Sequence, residues 1–102
     1  MGPQALYPVQ FFAASDDGSM DAERKRMLYR ATHRGMKETD RLVGGFAEAY
    51  LADMPADQTA AFEALLDESD NDLLNWIMER EAVPAHIDTD LIRQIINFKN
   101  TI

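Results

Sequence analysis

From residue 20 onward the apolar positions recur three and four apart and almost never alternate. That is the spacing of helices burying one face, so the chain reads as all-α. β-Branched residues are sparse before the final segment, and no alternating run reaches strand length. Five segments follow. Ser19 is placed to cap the first, with Asp21 and Glu23 in its first turn at the positive end of the dipole. It runs to about His33 and buries Met27, Leu28 and Ala31. The second starts between Gly35 and Lys37 and continues to about Ala52, with Leu42, Val43, Phe46, Ala49 and Tyr50 as its apolar face. A third, 56–66, follows Pro55 and buries Phe62, Leu65 and Leu66. The fourth, about 70–80, carries Leu73, Leu74, Trp76 and Ile77. After Pro84 a fifth begins at Asp88 or Thr89, its stripe made of Ile87, Leu91 and Ile95 with Ile92 and Ile96. Short segments on short connections predict a compact five-helix antiparallel bundle.

Three local features carry both a structural and a functional reading. Gly44-Gly45 lies inside the second segment, without the lysine–serine or lysine–threonine pair and the preceding strand of a phosphate loop. It reads as a place where a neighbouring helix comes close. The acidic run from Asp67 to Asp72 invites a calcium loop, which needs a glycine at its sixth position and a glutamate at its twelfth. Counted from Asp67, those positions hold Asp72 and Met78, so the run reads as a helix break and a fresh N-cap. Trp76 is either a core aromatic at a helix crossing or an anchor for a partner.

Composition narrows the chemistry. The 102 residues, 46% apolar, suit one domain that buries roughly 65% of its unfolded surface. Residues 1–19 read as a flexible extension ahead of a domain over 20–102. They lack the basic start and sustained apolar run of a secretory signal. No apolar stretch approaches the ~18 residues of a membrane span, which makes a cytoplasmic protein the expectation. Cysteine is absent, excluding disulfides, thiol catalysis and thiolate zinc sites. His33 and His86 share no metal-ligand spacing, and the only serines, Ser15, Ser19 and Ser69, fall in the extension or at caps. Neither a metal site nor a nucleophilic triad is expected, although Glu38 retains the capacity of any buried carboxylate for proton transfer.

Charge is segregated along the chain. Residues 23–41 hold seven Lys/Arg against three Asp/Glu, whereas 42–102 hold three against twelve. An acidic body disfavours nucleic acid, so the basic segment reads as a solvated or protein-docking face. Within it, Arg34-Gly35-Met36-Lys37-Glu38 sets a glycine among charges, where only a bend or a close approach explains it. Arg34 and Glu38, four apart, could also pair on a helix.

The order Lys25-Arg26-Met27-Leu28-Tyr29-Arg30, His33-Arg34-Gly35-x-x-Glu38-x-Asp40 and Phe46-Ala47-Glu48 resembles the flavinylation (FAD assembly) factors of succinate dehydrogenase. So do Phe62-Glu63-x-Leu65-Leu66 and Asp70-x-Asp72-Leu73-x-x-Trp76, and the likeness covers roughly residues 22–98. Ala31 stands where many members carry serine. The resemblance implies a five-helix bundle, not an enzyme, that binds the flavoprotein subunit of succinate dehydrogenase, and often of fumarate reductase, and assists covalent FAD attachment. It further implies that Arg34, Gly35 and Glu38, with Arg30 and Asp40 alongside, form the client-binding patch. FAD then stays with the client, no cofactor is held stably, and the protein acts as a monomer with neither nucleic-acid nor membrane partners. The competing reading is a regulatory or antitoxin-like binding module.

Overall fold

The computed structural model describes residues 20–102, whose regular elements are all helices, with no strand among them. The expected extension, residues 1–19, and its Ser19 cap lie outside the described residues. The first helix, α1 (Ala22–Thr32), is capped by Asp21, whose Oδ1 accepts the Arg24 backbone N–H at 2.8 Å. Met27 and Ala31 are buried as expected, whereas Leu28 is only half-buried.

The second helical segment, α2 (37–53), is not one regular helix. One turn of α-helix, Lys37–Thr39, gives way to a π-helical stretch, Asp40–Gly44. Regular helix resumes over Gly45–Tyr50 and tightens to a 3-10 turn at Leu51–Asp53. A π turn takes in an extra residue, so the residues beyond it sit at a rotation that a 3.6-residue period does not give. Ala47 and Leu51 therefore face the core, while Ala49 and Tyr50, expected inside, are exposed.

Three further helices complete the fold: α3 (Ala56–Leu66), α4 (Asp70–Ile77) and α5 (Thr89–Thr101). Ser69 and Asp88 cap the last two, accepting the N–H groups of Asp72 and Leu91 at 3.1 Å. The fourth helix stops three residues before its expected end at Arg80. Glu79 takes φ 60°, while the Arg80 N–H reaches back to Asn75 O (2.8 Å) and the Glu79 N–H to Trp76 O (3.1 Å). That pair of bonds is a Schellman stop, with glutamate where glycine is usual.

The five helices close around one core whose largest buried side chains include Phe46, Phe62, Leu73 and Ile95. α2 is its spine, packing on α1 and α5 through the π stretch, while α3 lies against α1. The close approach read from Gly44 is present: a Cβ there would lie 2.9 Å from Ala31 O and 3.0 Å from Thr32 Cγ2. Ala31, fully buried, and Gly44 thus meet backbone to backbone where α1 crosses α2. Trp76 keeps 5% exposure and belongs to the core.

Candidate functional site

The site is built where α1 ends and α2 begins. Thr32 Oγ1 donates to Leu28 O at 2.8 Å, and Nδ1 of His33 lies 2.9 Å from Tyr29 O, both inside the last turn of α1. The His33 ring also stacks on Tyr29, centroids 4.0 Å apart and 15° from parallel. Past this stop the chain reverses through Arg34, Gly35 and Met36. Gly35 has φ +102°, a backbone region that side-chain-bearing residues rarely enter. A Cβ on Gly35 would meet no atom within 4 Å. The glycine is required by the twist of the turn, not by crowding within the chain, and it leaves the turn bare and exposed.

Two carboxylates hold this turn. Asp40 accepts the Arg34 backbone N–H at 2.6 Å, and the Asp40 N–H donates to Met36 O at 2.9 Å, so the turn is closed onto the π stretch of α2. The Arg34 side chain runs the opposite way. Its Nε donates to Asp70 Oδ1 (2.6 Å), its Nη1 to Leu66 O (2.9 Å) and its Nη2 to Glu68 O (2.5 Å). One guanidinium thus satisfies carbonyls left over at the end of α3 and ties them to the first residue of α4. With 10% of the Arg34 side chain and 18% of Asp70 exposed, water screens this pair little.

The inward course of Arg34 corrects the orientation expected from the sequence, in which its charge was free for a partner. Its place beside Gly35 stands, but its charge serves the 67–70 connection. The helix-face pairing of Arg34 with Glu38 is absent too, because Gly35 breaks the helix between them. Glu38 instead bonds Arg41, Oε2 to Nη2 at 2.7 Å, with 40% and 54% of the two side chains exposed. Arg30, one turn before Arg34, reaches Asp67 Oδ1 at 2.7 Å on the open surface. The acidic run that invited a calcium loop is therefore the counter-charge of the basic segment. Charge segregation in the sequence carried that signal, although nothing in it showed which cation meets which carboxylate.

Glu38 and Asp40 also line an open groove of about 720 Å3 between α2 and α5, together with Arg41, Gly45, Glu48 and Phe98. Sequence reasoning missed this groove. Its floor depends on Phe98, whose ring would lie 3.1 Å from a Cβ on Gly45.

Residues 25–99 match the family model described as Sdh5, flavinator of succinate dehydrogenase. The chain belongs to the succinate dehydrogenase flavinator family. Members are assembly factors for flavinylation of that enzyme, and the relatives below carry assembly-factor names, not catalyst names. The chain is 35% identical over 80 residues to the FAD assembly factor SdhE of Acetobacter pasteurianus, covering 78% of this chain and 73% of the relative. It is 33% identical over 90 residues to the mitochondrial succinate dehydrogenase assembly factor 2-B of Drosophila willistoni, covering 86% and 58%. A mitochondrial succinate dehydrogenase assembly factor 2 of Dictyostelium discoideum is 33% identical over 72 residues, 71% of this chain and 51% of that protein. The chain thus spans little more than half the length of these two mitochondrial relatives. None of its described helices is long and apolar enough to cross a membrane.

Proposed function

We propose that this chain docks on the flavoprotein subunit of succinate dehydrogenase through the Gly35 turn and the adjoining first turn of α2, and thereby promotes covalent attachment of FAD to that subunit. The observation that carries the reading is the turn itself. It is exposed, empty where a side chain would project, and fixed from both sides by Asp40 and Arg34. A bare backbone held this firmly loses little freedom when another backbone settles on it, which favours association. Glu38 stands beside it with its carboxylate within reach of a client side chain, while Arg30 and Arg34 act from behind by holding the α3–α4 connection.

The FAD is the client's. The groove beside Glu38 is open to solvent and sets the carboxylates of Glu38, Asp40 and Glu48 beside two cations, Lys37 and Arg41, the second of them already paired with Glu38; one unpaired cation among carboxylates does not suit a diphosphate, so its residues do not suit the cofactor. What the chain supplies is a preference. By binding better to the client arrangement in which a histidine faces the flavin than to a looser one, the bundle raises the population of the reactive form, the only route by which a partner shifts such an equilibrium.

Reconstitution tests this. Apo-flavoprotein subunit, FAD and a dicarboxylate are incubated with the unaltered chain or with Glu38→Ala, and flavin that survives denaturation is read by fluorescence in a gel. Glu38→Ala removes only a surface pair worth no more than about 0.5 kcal/mol, so its circular dichroism and melting should match the unaltered chain. Covalent flavin should fall several-fold. Equal flavin from a folded variant would remove Glu38 from the patch.

A further inference from the structure

The Gly35 turn is one end of a longer surface. Along α2, Glu38, Arg41, Gly45 and Glu48 line one stripe of the groove wall facing Phe98 of α5, across the π stretch that joins the two turns of helix. Gly45 is the gap in that stripe. Its missing side chain leaves the ring edge of Phe98 as the groove floor, since a Cβ there would stand 3.1 and 3.2 Å from two ring carbons. Phe98 is half-buried and held edge-on by Phe46 and Tyr50, at 77° and 83° to their rings, so the floor is preformed. Ile102, 59% exposed, extends the apolar ground at the C-terminal end of α5. Of the charges on the groove wall, Glu38 and Arg41 neutralise each other, whereas Lys37 at the turn end and Glu48 at the other end are exposed and make no ion pair among the described residues.

We infer that this groove is the second half of the docking surface and receives a segment of the same flavoprotein subunit. That segment would place an apolar side chain over Phe98 and Ile102 and a lysine or arginine against Glu48. The inference rests on the reading above that the Gly35 turn meets that subunit. The occupant follows from continuity, because Glu38 and Asp40 belong both to the turn and to the groove wall, so a client seated on the turn overlies the groove mouth. It follows also from complementarity: at the Glu48 end, an apolar floor beside an unanswered carboxylate suits an apolar residue flanked by a cation, the pattern of an interface anchor with a charged rim.

The test measures the affinity of purified apo-flavoprotein subunit for the full chain and for Glu48→Lys and Ile102→Asp. Both substituted residues are exposed, so melting temperatures should stay within a degree or two of the unaltered chain. Arg80→Ala, on an exposed residue outside this groove, is the control. The expected result is a loss of about fivefold or more in affinity for each groove variant and none for the control. Unchanged affinity in both groove variants, with Gly35→Arg still abolishing binding, would overturn the groove and leave the turn in place. No binding by the unaltered chain would overturn both readings. Concentration-dependent dimerisation of the unaltered chain, abolished by Glu48→Lys or Ile102→Asp, would assign the groove to a second copy of this chain and overturn the inference.

Discussion

Arg34 shows how far one side chain can set a site without touching a partner. Its guanidinium is the common donor for the end of α3, the 67–70 connection and the start of α4, while its backbone N–H is held by Asp40. Replacing it with alanine leaves the Asp70 carboxylate and two carbonyls without their donor, and the expected loss in chemical-denaturation stability is roughly 3 kcal/mol. Arg34→Lys should recover little, because a single ammonium cannot reproduce a fork that serves three acceptors at once. If the lysine variant melts like the unaltered chain, the three-way clamp is not the source of the stability. Beside it, Gly35 was legible in the sequence as a bend, and at φ +102° it makes an exposed turn. The direction of Arg34 was not legible, because its acceptors lie 32 to 36 residues away and two of them are main-chain carbonyls that any residue could supply.

At the scale of elements, apolar spacing located all five helices but not the irregularities that shape the site. The π stretch Asp40–Gly44 leaves no mark in a 3.6-residue pattern, so Ala49 and Tyr50 were expected inside and lie outside. The end of α4 was also hidden, since its left-handed residue is Glu79 where a glycine would have announced it. Glu79→Gly should relieve that conformation and raise stability by roughly 1 kcal/mol in a denaturant titration. Gly44, in contrast, announced itself correctly as a close approach. Gly44→Ala drives a methyl against the Ala31 carbonyl and should cost about 1–3 kcal/mol, read as a lowered melting temperature. A neutral result would mean that α1 and α2 separate more easily at this crossing than their backbone contact implies.

For the molecule as a whole, the division of charge is the organising fact. Two of the basic segment's arginines do not stand free: Arg30 and Arg34 are drawn onto the acidic 67–70 connection, and that closure presents Gly35 outward. The bundle and the family were both legible from the residues, the first from periodicity and the second from the order of motifs along most of the chain. The groove beside Glu38 was not, because it needs Phe98, distant in sequence, to form its floor. The most direct measurement of the central claim is covalent flavin on the succinate dehydrogenase flavoprotein in cells that lack their own flavinator and carry Gly35→Arg. At φ +102° the substitution costs about 1–2 kcal/mol of backbone strain, which a chain of ordinary stability tolerates. The account predicts a chain present at normal abundance with the helical signal of the unaltered protein, and covalent flavin reduced to the level of cells without it. Normal covalent flavin from cells carrying only that variant would contradict it.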